Sequence, residues 1–179
     1  MGLMKLGRLA SAVGLIVMSA AGLARAAETP DAWITMKTKL ALMTTEGIRT
    51  SSLNVDTVNG KVTLHGKVAT PAEKAKAEDV AKHIDGTKDV RNLLQVVPNS
   101  QKAIVDRSDD EIMKSVEAAF KANARVNASG IKVASVDKGV VLLSGKTKSM
   151  AANVEAVQVA DAVRGVRRVS TEVEVVPNS

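Results

Sequence analysis

No cysteine occurs among the 179 residues, which excludes disulfides, thiolate metal sites, a cysteine nucleophile and the acylated cysteine of a bacterial lipoprotein. Aromatic residues are almost as scarce: one tryptophan, one phenylalanine and no tyrosine. That argues against nucleic-acid binding, which relies on aromatic side chains to stack bases. Only two histidines are present, and there is no glycine-rich phosphate loop, zinc spacing or calcium loop. No cofactor, metal or small-molecule substrate is therefore expected. The carboxylates alternate with lysines at helical spacing, as in Glu78 and Lys82, which is the pattern of a solvated helix face.

What is present begins with an export signal. Lys5 and Arg8 precede a charge-free run, Leu9 to Ala24, followed by Ala24-Arg25-Ala26 with the small residues of a cleavage site. Residues 1–26 thus read as a cleavable signal peptide, and the run is shorter than the ~20 residues of a bilayer-spanning helix. With no cysteine to oxidise or acylate, a bacterial periplasm is the expected compartment. Removing Lys5, Arg8 and Arg25 from the 25 basic residues leaves 22 against 19 acidic ones, a net charge of +3. That balance permits an anionic partner without demanding one.

The remainder is written twice. VVPNS occurs at 96–100 and again at 175–179, and the spacing of 79 persists upstream, pairing Gly60 with Gly139, Leu64 with Leu143, Gly66 with Gly145 and Gly86 with Gly165. Before Gly60 the offset is 78, because VNG in the first copy corresponds to VDKG in the second. Two domains, 31–98 and 109–177, follow, with 99–108 as a polar linker.

Ser108 with Glu111 resembles a capping box ahead of Ile112, Val116, Ala119 and Phe120, which recur at helical spacing. Alternating runs on either side of Asn59-Gly60 predict a hairpin. Thr70, Pro71 and Glu73 predict a second helix that ends at Gly86, with its counterpart starting at Ser149. The closing segments VRNLLQVV and VSTEVEVV read as strands. The expected fold is α/β (α+β): two tandem two-layer sandwiches, each helix-strand-strand-helix-strand with a three-stranded sheet.

ITMKTKLAL, VNGKVTLHGKV and GTKDVRNLLQVV together resemble the BON domain, named for bacterial osmotically inducible and nodulation proteins. GVVLLSGK and RGVRRVSTEVEVV carry the resemblance into the second copy. The first copy departs from it at Thr38, where the family usually has valine, and at Thr87-Lys88, where it has Gly-Val. The resemblance implies a non-catalytic module that attaches to phospholipid membranes and, in osmotic-stress members, protects envelope proteins.

Candidate binding residues come from differences between the copies. Arg164, Arg167 and Arg168 stand where the first copy has Asp85, Lys88 and Asp89, and with Lys146 and Lys148 they suggest an anionic-phospholipid site. Trp33, Met36, Leu40 and Met43 form an apolar stripe opposite the core face of the first helix, where the second copy has Glu111, Lys114, Ala118 and Lys121. Val154 and Val157 form a smaller apolar patch on the fourth. The plainest expectation is that one domain folds against the other and buries both patches; the alternatives are a contact with an envelope protein or another copy, and insertion at a membrane surface. His65 and His83, replaced by Ser144 and Ala162 in the second copy, read as solvated. An exported binding protein, not an enzyme, is the expected function, with anionic phospholipid or envelope proteins as partners.

Overall fold

A computed structural model describes residues 29–176; the signal-like segment and the last three residues lie outside that range. In the first copy, α1 (Asp31–Thr44) buries Ile34, Thr38 and Leu42, spaced four apart so that they share one face. Thr38 fits there because its hydroxyl donates to the Ile34 carbonyl, 2.8 Å away. Two strands, β1 (Leu53–Val58) and β2 (Lys61–Val68), form an antiparallel hairpin. Asn59 and Gly60 turn it with φ of 54° and 78°, the two left-handed residues of a tight hairpin turn.

Helix α2 (Pro71–Lys82) starts as expected, with the Thr70 hydroxyl accepting from the Glu73 N–H. Glu73 does not close the box on Thr70, however. Its buried carboxylate accepts from the N–H groups of Ala69 and Arg49 instead, tying the loop before β1 to the helix start. The chain then returns as β3 (Asp89–Asn92) and β4 (Gln95–Val96), both parallel to β2. These are one strand in two pieces, since the register against β2 is the same before and after the break. The break faces Gly66, where φ is 114° and an added Cβ would lie 2.1 Å from the Ser52 carbonyl oxygen.

The second copy repeats the order. A long helix, α3 (Lys102–Ala122), and the one-turn α4 (Ala124–Asn127) precede β5 (Ile131–Asp137), β6 (Val140–Thr147), α5 (Met150–Asp161), β7 (Arg168–Thr171) and β8 (Glu174–Val175). Pairings fall at matching positions: Val55 with Leu64 and Val133 with Leu143, Val62 with Val90 and Val141 with Val169. Each copy has its own core between helices and sheet, one centred on Ile34, Leu42, Val62 and Leu64, the other on Val116, Phe120, Val141 and Leu143.

One expectation is corrected. The polar segment 99–108 is itself folded: Asn99–Gln101 forms a 3-10 turn and α3 runs without interruption from Lys102. Ser108 therefore lies inside a helix and caps nothing. The residue that organises the start of each domain is an aspartate. Asp31 accepts from the N–H groups of Asn59 and Gly60, both at 2.7 Å, and Asp109 accepts from Lys138 at 2.8 Å and Gly139 at 2.9 Å.

Candidate functional site

On each central strand, alternate residues point away from the helices. In β2 these are Thr63 and His65, and in β6 Val140 and Leu142; all four are buried, although neither domain has a layer of its own on that side. The faces cover each other. The two sheets meet on this side, with β2 running beside β5.

This interface is held by charge. Lys67 extends from the end of β2 to Asp106 and Asp109 of α3, 2.8 Å from each, and lies 3.9 Å from Asp137 at the end of β5. Its side chain is 11% exposed. Burial works against its charge, but hydrogen bonds to Asp106 and Asp109 outweigh it and raise its pKa above the usual lysine value. Beside it, His65 places Nε2 2.9 Å from Asp56 and Nδ1 3.9 Å from Asp137. The longer contact exceeds hydrogen-bond range, so Asp137 acts there as a charge. Burial disfavours the cationic ring, yet Asp137 and Asp56 together raise its pKa to about 9. Asp56 is correspondingly lowered by its hydrogen bond to His65.

Further links are Arg91 Nη1 to the Thr171 carbonyl at 3.2 Å and Lys138 Nζ to the Val96 carbonyl at 3.2 Å. Beside these contacts a cleft of about 880 Å³ opens between the domains, lined by β1, by Lys39 of α1, and by Lys132, Lys146 and Glu172 of the second copy. Glu172 is raised by burial and then by the nearby charge of Asp56.

His65 is thus not solvated as expected, whereas His83 is exposed on the last turn of α2. Both ring nitrogens of His65 face carboxylates, which holds the ring as a structural cation. Among the described residues, no group of three His, Cys, Asp or Glu side chains is placed to hold a metal ion.

The apolar patches do not form the interface. Trp33, Met36, Leu40 and Met43 are 47%, 51%, 62% and 67% exposed, on the outer side of α1. Val154 is 51% exposed, while Val157 turns inward and packs on the second core. Lys37 places its ammonium 5.8 Å from the centre of the Trp33 ring, within cation–π range.

The basic candidates are split between two places. Arg164, Arg167 and Arg168 are exposed around the loop that enters β7, where the Arg167 stem lies over Gly139 and its guanidinium reaches the Lys138 carbonyl. Lys146 and Lys148 sit at the far end of β6, about 20 Å away at the rise of a strand. Lys146 is paired with Glu174 at 2.7 Å.

The BON domain family matches residues 30–98 and 108–177. The chain belongs to the BON domain family. It is 32% identical over 145 residues to osmotically-inducible protein Y of Escherichia coli, covering 80% of this chain and 72% of that protein. It is also 32% identical over 117 residues to the outer membrane lipoprotein DolP of Haemophilus influenzae, covering 65% of this chain and 59% of that protein. Among solved structures, CdsD, a structural protein of the type III secretion system of Chlamydia trachomatis, aligns over 80% of this chain and 92% of its own at 14% identity and a TM-score of 0.35. That likeness is too slight to bear on function. This is a tandem BON protein whose two domains are joined by their sheets.

Differences between the two BON domains mark the joint. In the repeat His65 corresponds to Ser144, Thr63 to Leu142, Lys61 to Val140, Leu93 to Glu172 and Val58 to Asp137; the residue that the second copy adds lies not in the turn, as VDKG against VNG suggests, but at Ala134, where the register of β5 against β6 shifts between Val133 and Ser135. All of these pairs lie on the outer sheet faces. Comparing the helices alone overlooks that signal.

Proposed function

We propose that this BON protein is exported to the cell envelope and works by peripheral attachment to anionic phospholipid, without catalysis. The observation that carries the reading is the exposed line Trp33, Met36, Leu40 and Met43 on α1, with Lys37 and Lys39 beside it. A helix with an apolar outer face and flanking lysines can lie in the headgroup region, its apolar side chains below and its ammonium groups among the phosphates. No helix among the described residues is long and apolar enough to cross a membrane. The signal-like residues 1–26 and the relationship to an outer membrane lipoprotein and an osmotically inducible protein support an envelope setting under osmotic stress. The exposed Arg164, Arg167 and Arg168 supply a second, separate basic contact on the other domain, and Lys146 with Lys148 a third.

Flotation of the protein without residues 1–26 on anionic and on zwitterionic liposomes tests the reading. Binding is expected to the anionic vesicles, weakened by salt, and Trp33→Lys is expected to reduce it at least tenfold. Replacing Arg164, Arg167 and Arg168 by Asp, Lys and Asp, the residues of the first copy, should weaken it further, since each basic side chain near such a surface contributes about 1 kcal/mol. Trp33 is the only strong emitter, so its fluorescence should shift to the blue on anionic vesicles alone. A stripe that stays wet on every vesicle but becomes buried on unfolded envelope proteins would replace this reading with a chaperone-like one.

A further inference from the structure

The surface between the two sheets is built unlike a permanent core. Its apolar part comes from Leu93, Val97, Val140 and Leu142, all buried and none belonging to either domain's core cluster. Around them are charges held off water. Among the described residues, three buried side-chain atoms lack a hydrogen-bond partner, and two of them, His65 Nδ1 and Ser135 Oγ, lie on this face. Buried polar atoms without a hydrogen bond disfavour the closed state, and buried ion pairs often do little better than break even against apolar packing. The closed arrangement thus depends on a few charge contacts and is offset by penalties in the same place.

We propose that Lys67 and His65 of the first domain, gripped by Asp106, Asp109 and Asp137, form a latch, and that releasing it parts the sheets and uncovers the apolar face at Val140 and Leu142. The asymmetry of the repeat supports this. Val140 and Leu142 replace Lys61 and Thr63, so the second domain has an outer sheet face suited to being covered, and the first has the polar side chains that cover it. The latch is not repeated in the second copy: Ser144 stands for His65, and Lys146, the counterpart of Lys67, turns to Glu174 of its own domain.

The charges around His65 set the direction of its response to pH. Asp56 comes from β1 and Asp137 from β5; Glu172, from the link between β7 and β8, adds a third carboxylate at longer range. Lys67 on the same strand shares Asp137, with Asp106 and Asp109 behind it on α3. Lys39 and Lys132 act on Asp56, and Arg91 on Glu172. Carboxylates surround the ring, so it holds its proton through neutral pH and loses it near pH 9. Lys67, raised rather than lowered, keeps its charge beyond that point. Alkaline solution therefore removes the His65 half of the latch first.

The absence of native cysteine allows a clean test. Spin labels at Ala75→Cys on α2 and Gln158→Cys on α5, both exposed and away from the interface, report the separation of the two helices. A single narrow distance is expected at pH 7, and a longer, broader distribution at pH 10 with unchanged circular dichroism. Lys67→Met and Asp137→Asn should produce the broad distribution at pH 7. In a separate protein, maleimide labelling of Leu142→Cys, relative to Ala75→Cys at the same pH, should rise at least tenfold on opening. An unchanged narrow distance at pH 10 in the otherwise native protein, both domains remaining folded, overturns the proposal even if the substituted proteins fail to fold. So does a Leu142→Cys thiol that stays protected when the labels move apart.

Discussion

Asp31 and Asp109 perform one task in two settings, so replacing each by alanine lets one domain serve as the control for the other. Each carboxylate accepts two backbone N–H groups from a hairpin turn whose residues have positive φ and have no strand partner for those donors. A hydrogen bond to a charged group contributes about 1.5–3 kcal/mol, less where water can take its place. Asn59 is exposed, so water replaces part of what Asp31→Ala removes, and a loss of about 2 kcal/mol is expected. Asp109 differs in two respects. Asp109 is itself buried where Asp31 is only partly so, and Lys67 loses a carboxylate 2.8 Å away while its own side chain is only 11% exposed. Stripping a partner from a buried charge typically costs about 3–5 kcal/mol, and Asp106 and Asp137 remain to soften it, so Asp109→Ala should cost about 4 kcal/mol. Urea unfolding followed by circular dichroism measures both, with Trp33 fluorescence reporting the first domain separately. Pairing Asp109→Ala with Lys67→Met gives a double-mutant cycle that isolates their coupling. Losses that agree to within about 0.5 kcal/mol, the scatter expected of independent sites, would refute the claim that Asp109 holds the domains together.

Gly66→Ala and Gly145→Ala should each destabilise by more than about 3 kcal/mol, because φ is 114° and 124° and the new Cβ would fall 2.1 and 2.3 Å from the carbonyl oxygens of Ser52 and Gly130; thermal melts of the pair check this, and a mild effect at either would mean the bend relaxes freely. His65 is raised from 6.5 to about 9 when folded, so its contribution is fully present below pH 6.5 and disappears as pH rises through 9. That gap corresponds to about 3 kcal/mol, and His65→Gln should flatten the stability profile over the same window. Thr38→Val should change stability by less than about 1 kcal/mol, since the hydroxyl only bonds back to the Ile34 carbonyl of its own helix and a methyl fits the same space.

The repeat makes most of the fold legible in the sequence, because turn glycines and alternating valines are dictated by local geometry and both copies obey the same rules. Thr70 and Ser149 cap their helices as the residue types require. The start of α3 is hidden because Ser108 and Glu111 fit a local motif, while the contact that matters, Asp109 to Gly139, spans 30 residues. The interface is hidden for a related reason. Thr63, His65 and Lys67 alternate with core residues and so resemble a solvated sheet face, and nothing local distinguishes a face that water covers from one that a second domain covers. Val157 fell on the wrong side because helical spacing locates a stripe to within about one turn, and it lies at the margin of the core.

The joining of the domains through their sheets has a consequence for what the molecule can touch. The exposed apolar side chains of the helices then stay outside the joint in both domains. A contact made through α1 of the first domain does not use α5 of the second, where Met150 is 61% and Val154 51% exposed. A molecule occupied through one domain thus keeps a second, chemically different apolar contact free on the other, which is the arrangement of a bridge between two objects rather than of a lid on one.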